Sequence, residues 1–256
     1  MTSFRIRSGF VLFLLPILNA PALAEEPSED THTAFLEHMH SHLEQISEIK
    51  DAVIAGNLPD VREPARWLAA SEPPGLSLPW MPYVQEMRRY ASRAADATDL
   101  VAAASAVSEI ARTCGDCHRA SGVSIAFGFD ERPPEEQQSL MTQMQRHLWA
   151  ADRMWEGLIG PSDTAWNRGA AILSEIHLDI SDFAGSGAEG AGSAENESQM
   201  SELLSRASGM GEQGGLAAST ELRSGLYGEF LSLCASCHSL TGGGPEGQGF
   251  SMSSGR

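Results

Sequence analysis

All four cysteines of the chain lie in two short motifs of the same form, two cysteines three residues apart with a histidine directly after them. The motifs are Cys114-Gly-Asp-Cys117-His118 and Cys234-Ala-Ser-Cys237-His238. On a helical turn this spacing projects both sulfur atoms from one edge, with the imidazole beside them. Two such thiols can add to the two vinyl groups of a haem, and the histidine can supply the proximal nitrogen to the iron. The pattern is that of c-type haem attachment and predicts two covalently attached haem c groups.

Other uses of paired cysteines fit the two motifs less well. A zinc site would bring two Cys-x-x-Cys pairs together, but these pairs are far apart in the sequence and a histidine follows each. A thioredoxin-like dithiol uses a helix N-terminus to lower the thiol pKa. Each pair here closes a helical stretch, where the helix dipole disfavours a thiolate. A disulfide within either pair would give no role to His118 or His238.

The charge balance excludes two classes of binding partner. Lys and Arg total 17 against 34 Asp and Glu, the net charge is −17, and Lys50 is the only lysine. A nucleic-acid-binding protein, or one held on anionic lipid, would carry a basic patch, and none is visible. The acidic chain instead predicts docking onto basic-surfaced redox proteins, such as an oxidase, a reductase or another cytochrome.

Residues 1–24 have the form of an export signal. Two arginines near the start precede the apolar stretch 10–18, and small residues follow at Ala22 and Ala24. The apolar stretch is too short to span about 30 Å of hydrocarbon. We therefore expect cleavage after about Ala24, a periplasmic location and no membrane anchor.

The sequence contains an internal repeat. A shift of 105 residues places Met39 on Met144 and His42 on His147, together with apolar residues around them. The two CxxCH motifs are 120 residues apart. The Gly/Ser/Glu-rich stretch 185–198 accounts for the extra residues of the second copy and predicts a flexible acidic loop.

Each copy is predicted to contain four helices. A stripe of apolar residues at 35, 39, 46, 49 and 53, joined by His42, follows helical spacing, and no strand pattern appears. The predicted helices are 33–55, 60–70, 80–95 and 99–118, then 135–159, 163–178, 199–212 and 218–239. Asp60 and Asp99 are the predicted caps of the second and fourth. We expect an all-α protein of two tandem four-helix bundles, 25–125 and 130–240, each with its CxxCH site at the C-terminal end of its last helix, then a disordered tail at 241–256.

With this arrangement the chain resembles the cytochrome c′ and cytochrome c556 family, four-helix bundles with CxxCH near the end of the last helix. The resemblance covers most of 32–240, in two copies, and departs from the family in the doubling and in an insertion at 185–215. It implies a distal residue on the first helix, which is a methionine where the iron is low-spin and an apolar group where the site is open.

The sixth ligand of each iron decides between electron transfer and gas binding. His118 and His238 are the predicted proximal ligands. The candidates for the sixth position are His42 and His147, with Met39 and Met144 as the alternative. Both pairs lie on the inward stripe of a first helix, so ligation by two histidines, by histidine and methionine, or an open site all remain possible. The remaining histidines, His32, His38, His40 and His177, are predicted at the surface.

The sequence thus predicts a periplasmic dihaem cytochrome, a monomer that transfers electrons between redox partners and is not an enzyme. The alternative is cytochrome c′-like binding of NO or CO at an open haem. A dihaem peroxidase is the least supported function, because no motif marks a substrate pocket.

Overall fold

The computed structural model describes residues 29–72, 78–125, 127–128, 132–136, 139–178, 181 and 194–241. Within these ranges the chain is helical and has no β-strand, which confirms the all-α prediction. The predicted export signal and nearly all of the predicted tail lie outside the described residues. In the described part of the chain, no helix has the length and apolarity needed to cross a membrane.

In the described residues of the first half there are four α-helices and one short 3-10 turn. They are α1 (Glu29–Ile54), α2 (Leu58–Ala70), the turn Leu78–Trp80, α3 (Met81–Ala95) and α4 (Leu100–Ser121). Asp99 caps α4 as predicted, because its carboxylate accepts a hydrogen bond of 2.8 Å from the backbone N–H of Ala102. The predicted cap of α2 is wrong. This helix begins after Asn57, and Asp60 lies in its first turn and accepts a hydrogen bond from the Asn57 amide.

The described residues of the second half form five α-helices, because the predicted third helix is divided at Gly209. They are α5 (Leu140–Ile159), α6 (Asp163–Glu175), α7 (Ala194–Ser208), α8 (Met210–Leu216) and α9 (Thr220–Thr241). The predicted loop 185–198 is wrong for 194–198, which begin α7 with acidic side chains in the first turn, where the helix dipole favours them. Residues 185–193 lie outside the described ranges. The predicted tail is wrong for Thr241, which is still part of α9.

The first and last helices of both halves share one core. α1 and α5 each pack against both α4 and α9, and α4 packs extensively along α9. In the first half, α2 lies on α1 and α3 lies on α4; in the second, α6 lies on α5, α7 lies on α9, and α8 packs mainly against α6. Buried side chains from both halves form one continuous cluster, with Trp155, Tyr227 and Phe230 among the largest.

The contact between α4 and α9 has an approximate two-fold symmetry. A Cβ atom added to Gly228 would lie 2.8 Å from Ser108 Oγ, 3.3 Å from Ser105 Cα and 3.5 Å from the Ala104 carbonyl oxygen, so the absence of a side chain favours this close approach. Ser224 Oγ lies 3.4 Å from Ser108 Oγ. The 120-residue shift relates Ala104 to Ser224 and Ser108 to Gly228. It therefore relates the contact of Gly228 with Ala104 to the contact of Ser108 with Ser224. The repeats meet as the subunits of a symmetric dimer would.

Candidate functional site

The two CxxCH motifs occupy corresponding places in the last turns of α4 and α9. All four thiols are free and partly buried, and Cys114, Cys234 and Cys237 pack against the edge of the apolar core. Residues three apart on a helix are neighbours on one face. Both thiols of each pair can therefore react with one ligand that lies against that face.

Burial keeps these thiols protonated. It raises the pKa of Cys114 and of Cys234 to about 12, with a smaller contribution from the second thiol of each pair. It also raises the pKa of Cys237 to about 11 and increases that of Cys117. Zinc ligands and redox dithiols act as thiolates, which this environment disfavours. A thioether is neutral and apolar, and it suits the same environment.

Each motif histidine donates a hydrogen bond from Nδ1 to a backbone carbonyl oxygen. The distance is 2.7 Å from His118 to Ile159 and 2.5 Å from His238 to Ile54. Because a carbonyl oxygen can only accept, Nδ1 carries the proton in both rings. Burial lowers the pKa of both imidazoles, so they are neutral and present a lone pair at Nε2. Histidines that bind a metal typically have this second hydrogen bond.

The carbonyl group comes from the opposite half in both cases. Ile159 is the last residue of α5, Ile54 is the last residue of α1, and the 105-residue shift relates the two. The approach of α4 to α5 depends on Gly115, since a Cβ atom there would lie 1.9 Å from the Leu158 carbonyl oxygen. Each first helix therefore orients the motif histidine of the other half.

The charges around the two motifs differ. On α4, Arg112 forms ion pairs of 2.9 Å with Glu109, 2.7 Å with Asp116 and 3.1 Å with Glu86. Asp116 lies between the two cysteines of the first motif. The 120-residue shift places serines on α9 at the positions of Arg112, Asp116 and Arg119. The first site is therefore bordered by an ion-pair network and the second by hydroxyl groups.

His147 lies near His238. Its ring packs edge-on against Phe230, with 6.2 Å between the ring centroids. Burial, and then the nearby charge of His238, lower the pKa of His147 to about 4. The structure thus brings a predicted sixth ligand and a predicted proximal ligand of the second half together.

His42 does not have the corresponding position in the first half. Its Nε2 atom lies 2.8 Å from Ser71 Oγ at the end of α2, and its ring contacts His38 and Trp67. Burial, and then the charge of His38, lower the pKa of His42 to about 4. Within the described residues its polar and ring partners belong to α1 and to the end of α2, and none is His118. The alternatives Met39 and Met144 are partly buried on α1 and α5.

Sequence reasoning missed two groups of residues near these sites. The surface prediction is wrong for His38, which is partly buried beside His42, although His40 and His177 are exposed as predicted. The i, i+4 spacing of His38 and His42 was the available signal. Lys50 is 5% exposed and bonds Asp152 of α5 at 2.7 Å. Its position one helical turn from the apolar residues of α1 could have indicated that Lys50 is buried.

The described residues fit a haem held by two thioethers and one imidazole in each half, because they offer paired free thiols and a correctly protonated histidine. Among the same residues, no cluster of three or more His, Cys, Asp or Glu is arranged to hold a bare metal ion. The sequence matches no protein-family model, no curated protein and no solved structure. Function is therefore inferred from the chemistry of the site.

Proposed function

We propose that the protein is a dihaem c-type cytochrome of the periplasm that transfers electrons between redox partners. The observation that carries the proposal is the pair of CxxCH motifs in which both histidines donate Nδ1–H to a carbonyl oxygen and present Nε2. In this proposal each half binds one haem, as in a tandem form of the cytochrome c′ and cytochrome c556 family.

The residues of the chain have distinct roles in this function. The four cysteines would hold the two haems as thioethers, and Nε2 of His118 and of His238 would bind the iron as the proximal ligand. A bound haem supplies a one-electron couple between ferric and ferrous iron. The carbonyl groups of Ile159 and Ile54 fix the imidazole planes, and the hydrogen bonds increase the basicity of the ligand nitrogen.

The two halves differ in their proposed sixth ligand. In the second half His147 is the sixth ligand, which its neighbourhood with His238 supports. In the first half Nε2 of His42 is held by Ser71, so we assign the sixth position to Met39, one turn away on α1. Imidazole and thioether ligands set different reduction potentials. Two haems of different potential in one chain suit a carrier that passes electrons in one direction.

Binding of NO or CO at the first haem is the second candidate function. The observation that favours it is the contact of His42 with Ser71, which removes the strongest predicted ligand from that iron. If the Met39 thioether were weakly bound or absent from the sixth position, a small gas could bind there.

The test is a titration of the reduced, haem-loaded protein with CO, followed through the Soret band. No CO bound and sharp α and β bands would support an electron carrier with two filled sites. One equivalent of CO per chain would support the gas-binding function at the first haem. Two equivalents would contradict the assignment of His147 and, with it, the proposed electron-transfer role.

A further inference from the structure

A second pair of side chains able to bind a metal lies on α1, outside the CxxCH motifs. His38 and His42 are one helical turn apart, and their ring centroids are 4.3 Å apart. Both Nε2 atoms approach Ser71 Oγ, which is 2.8 Å from His42 and 3.3 Å from His38. Two imidazole nitrogens therefore converge on one point where α1 meets the end of α2.

We propose that His38 and His42 bind one divalent ion of a late first-row transition metal, with Ser71 as a neighbouring hydroxyl ligand. Two histidines at i, i+4 on one helical face are a recurrent chelating arrangement. Imidazole nitrogen suits zinc, copper and nickel, and Cu²⁺ forms the most stable complexes of the divalent series. The site takes Cu²⁺ most tightly and Zn²⁺ less tightly.

The environment of His38 and His42 favours the binding of an ion. Both side chains remain partly exposed, which leaves a path for the ion and its remaining waters. Trp67 packs edge-on against His42, with 5.8 Å between the ring centroids, and limits the movement of that ring.

The site belongs to the first half only. The 105-residue shift places Gln143 at the position of His38 and Ile176 at the position of Ser71. Neither replacement offers an imidazole or a hydroxyl group. One ion per chain is therefore expected, and the second half supplies a natural choice of substitution, His38→Gln.

The experiment uses oxidised, haem-loaded protein without a histidine tag, titrated with Cu²⁺ and with Zn²⁺ by calorimetry. One equivalent of Cu²⁺ is expected, with nitrogen hyperfine structure in its EPR signal. His38→Gln should weaken binding more than about tenfold, because loss of even a second-shell partner costs 10–100-fold in affinity. Ser71→Ala should weaken it less. His40→Ala is the control, since that side chain is exposed on another face of α1.

The haem bands provide an independent readout. The haem bands of His38→Gln should be the same as those of the unmodified protein. Weaker Cu²⁺ binding in this variant would then not result from a loss of haem. Absence of Cu²⁺ binding, unchanged affinity in His38→Gln, or an equal loss in His40→Ala would each overturn the proposal. So would a shift of the first haem to high spin in His42→Ala that leaves Cu²⁺ affinity unchanged.

Discussion

The imidazole of His118, in the first half, is hydrogen-bonded at 2.7 Å to the carbonyl oxygen of Ile159, in the second. The bond from His238 to Ile54 repeats this relationship in the opposite direction. Because the two sets of residues are related by the internal repeat, each half is needed to orient the histidine of the other. A change at one site should therefore be detectable at the other.

Gly115→Ala should weaken the association of α4 with α5. The added Cβ atom would meet the Leu158 carbonyl oxygen at 1.9 Å, which forces the helices apart and lengthens the bond from His118 to Ile159. Overpacking of this kind costs about 1–3 kcal/mol. Urea unfolding measures the loss, and the iron–histidine stretching band in the resonance Raman spectrum of the first haem should shift.

Gly225→Ala on α9 is the matched control for that substitution. A Cβ atom at Gly225 meets nothing within 4 Å, and the residue is exposed within a helix. Alanine should stabilise the helix there by up to about 1 kcal/mol. If both variants gained stability, the proposed close contact at Gly115 would be contradicted.

Lys50→Met should destabilise the contact between α1 and α5. Lys50 is buried, bonds Asp152 at 2.7 Å and pairs with Asp51 at 3.3 Å, so its removal leaves two carboxylates without their cation. Breaking a fully buried pair costs about 3–5 kcal/mol. We expect about 2 kcal/mol, because both carboxylates keep some contact with water.

The double variant Lys50→Met/Asp152→Asn distinguishes charge from packing. Removal of the unpaired carboxylate charge should restore part of the lost stability, as a double-mutant cycle in urea would measure. If the losses of stability in the two single variants simply added in the double variant, Lys50 would stabilise the protein through its aliphatic part alone.

His147→Ala should convert one haem to high spin and let it bind CO. His147 is the proposed sixth ligand beside His238, and alanine offers no ligand atom. Optical and EPR spectra of the oxidised protein measure the change. His177→Ala, at an exposed histidine, should leave the spectra unaltered, and the same low-spin spectrum in His147→Ala would refute the assignment.

Electron transfer to a basic-surfaced cytochrome should become slower as salt rises. The net charge of −17 favours encounter with such a partner. Raising the ionic strength from about 0.01 M to about 0.15 M shortens the screening length from about 30 Å to about 8 Å. Stopped-flow kinetics measures the rate, with an uncharged quinone as the control oxidant. A rate independent of salt would remove the charge-docking proposal.

Local sequence signals were enough to predict the all-α fold and most helix boundaries. The spacing of apolar residues predicted the first helix of each repeat, and the capping residue Asp99 predicted the start of α4. The division of the third helix of the second half at Gly209 could not be located in advance, because several glycines lie close together there. The start of α7 was missed because a Gly/Ser-rich composition outweighed the acidic residues that favour a helix N-terminus.

Of the candidate site, only the residues of the two CxxCH motifs could be predicted from the sequence. Spacing alone identifies the CxxCH residues, since that chemistry depends on neighbours in the sequence. The acceptors Ile54 and Ile159 could not be predicted, because a backbone carbonyl has no sequence signature and these two lie in the opposite half. For the same reason, the sequence did not distinguish His147, which lies beside His238, from His42, which bonds Ser71.

The most direct test of the central proposal is the intact mass of the denatured protein after expression together with a cytochrome c maturation system. Haem held by thioethers stays with the chain on denaturation, whereas haem bound only through the iron is lost. We expect a mass increase of two haems, reduced to one in Cys114→Ala/Cys117→Ala and in Cys234→Ala/Cys237→Ala. A chain that keeps four unmodified thiols under these conditions would contradict it.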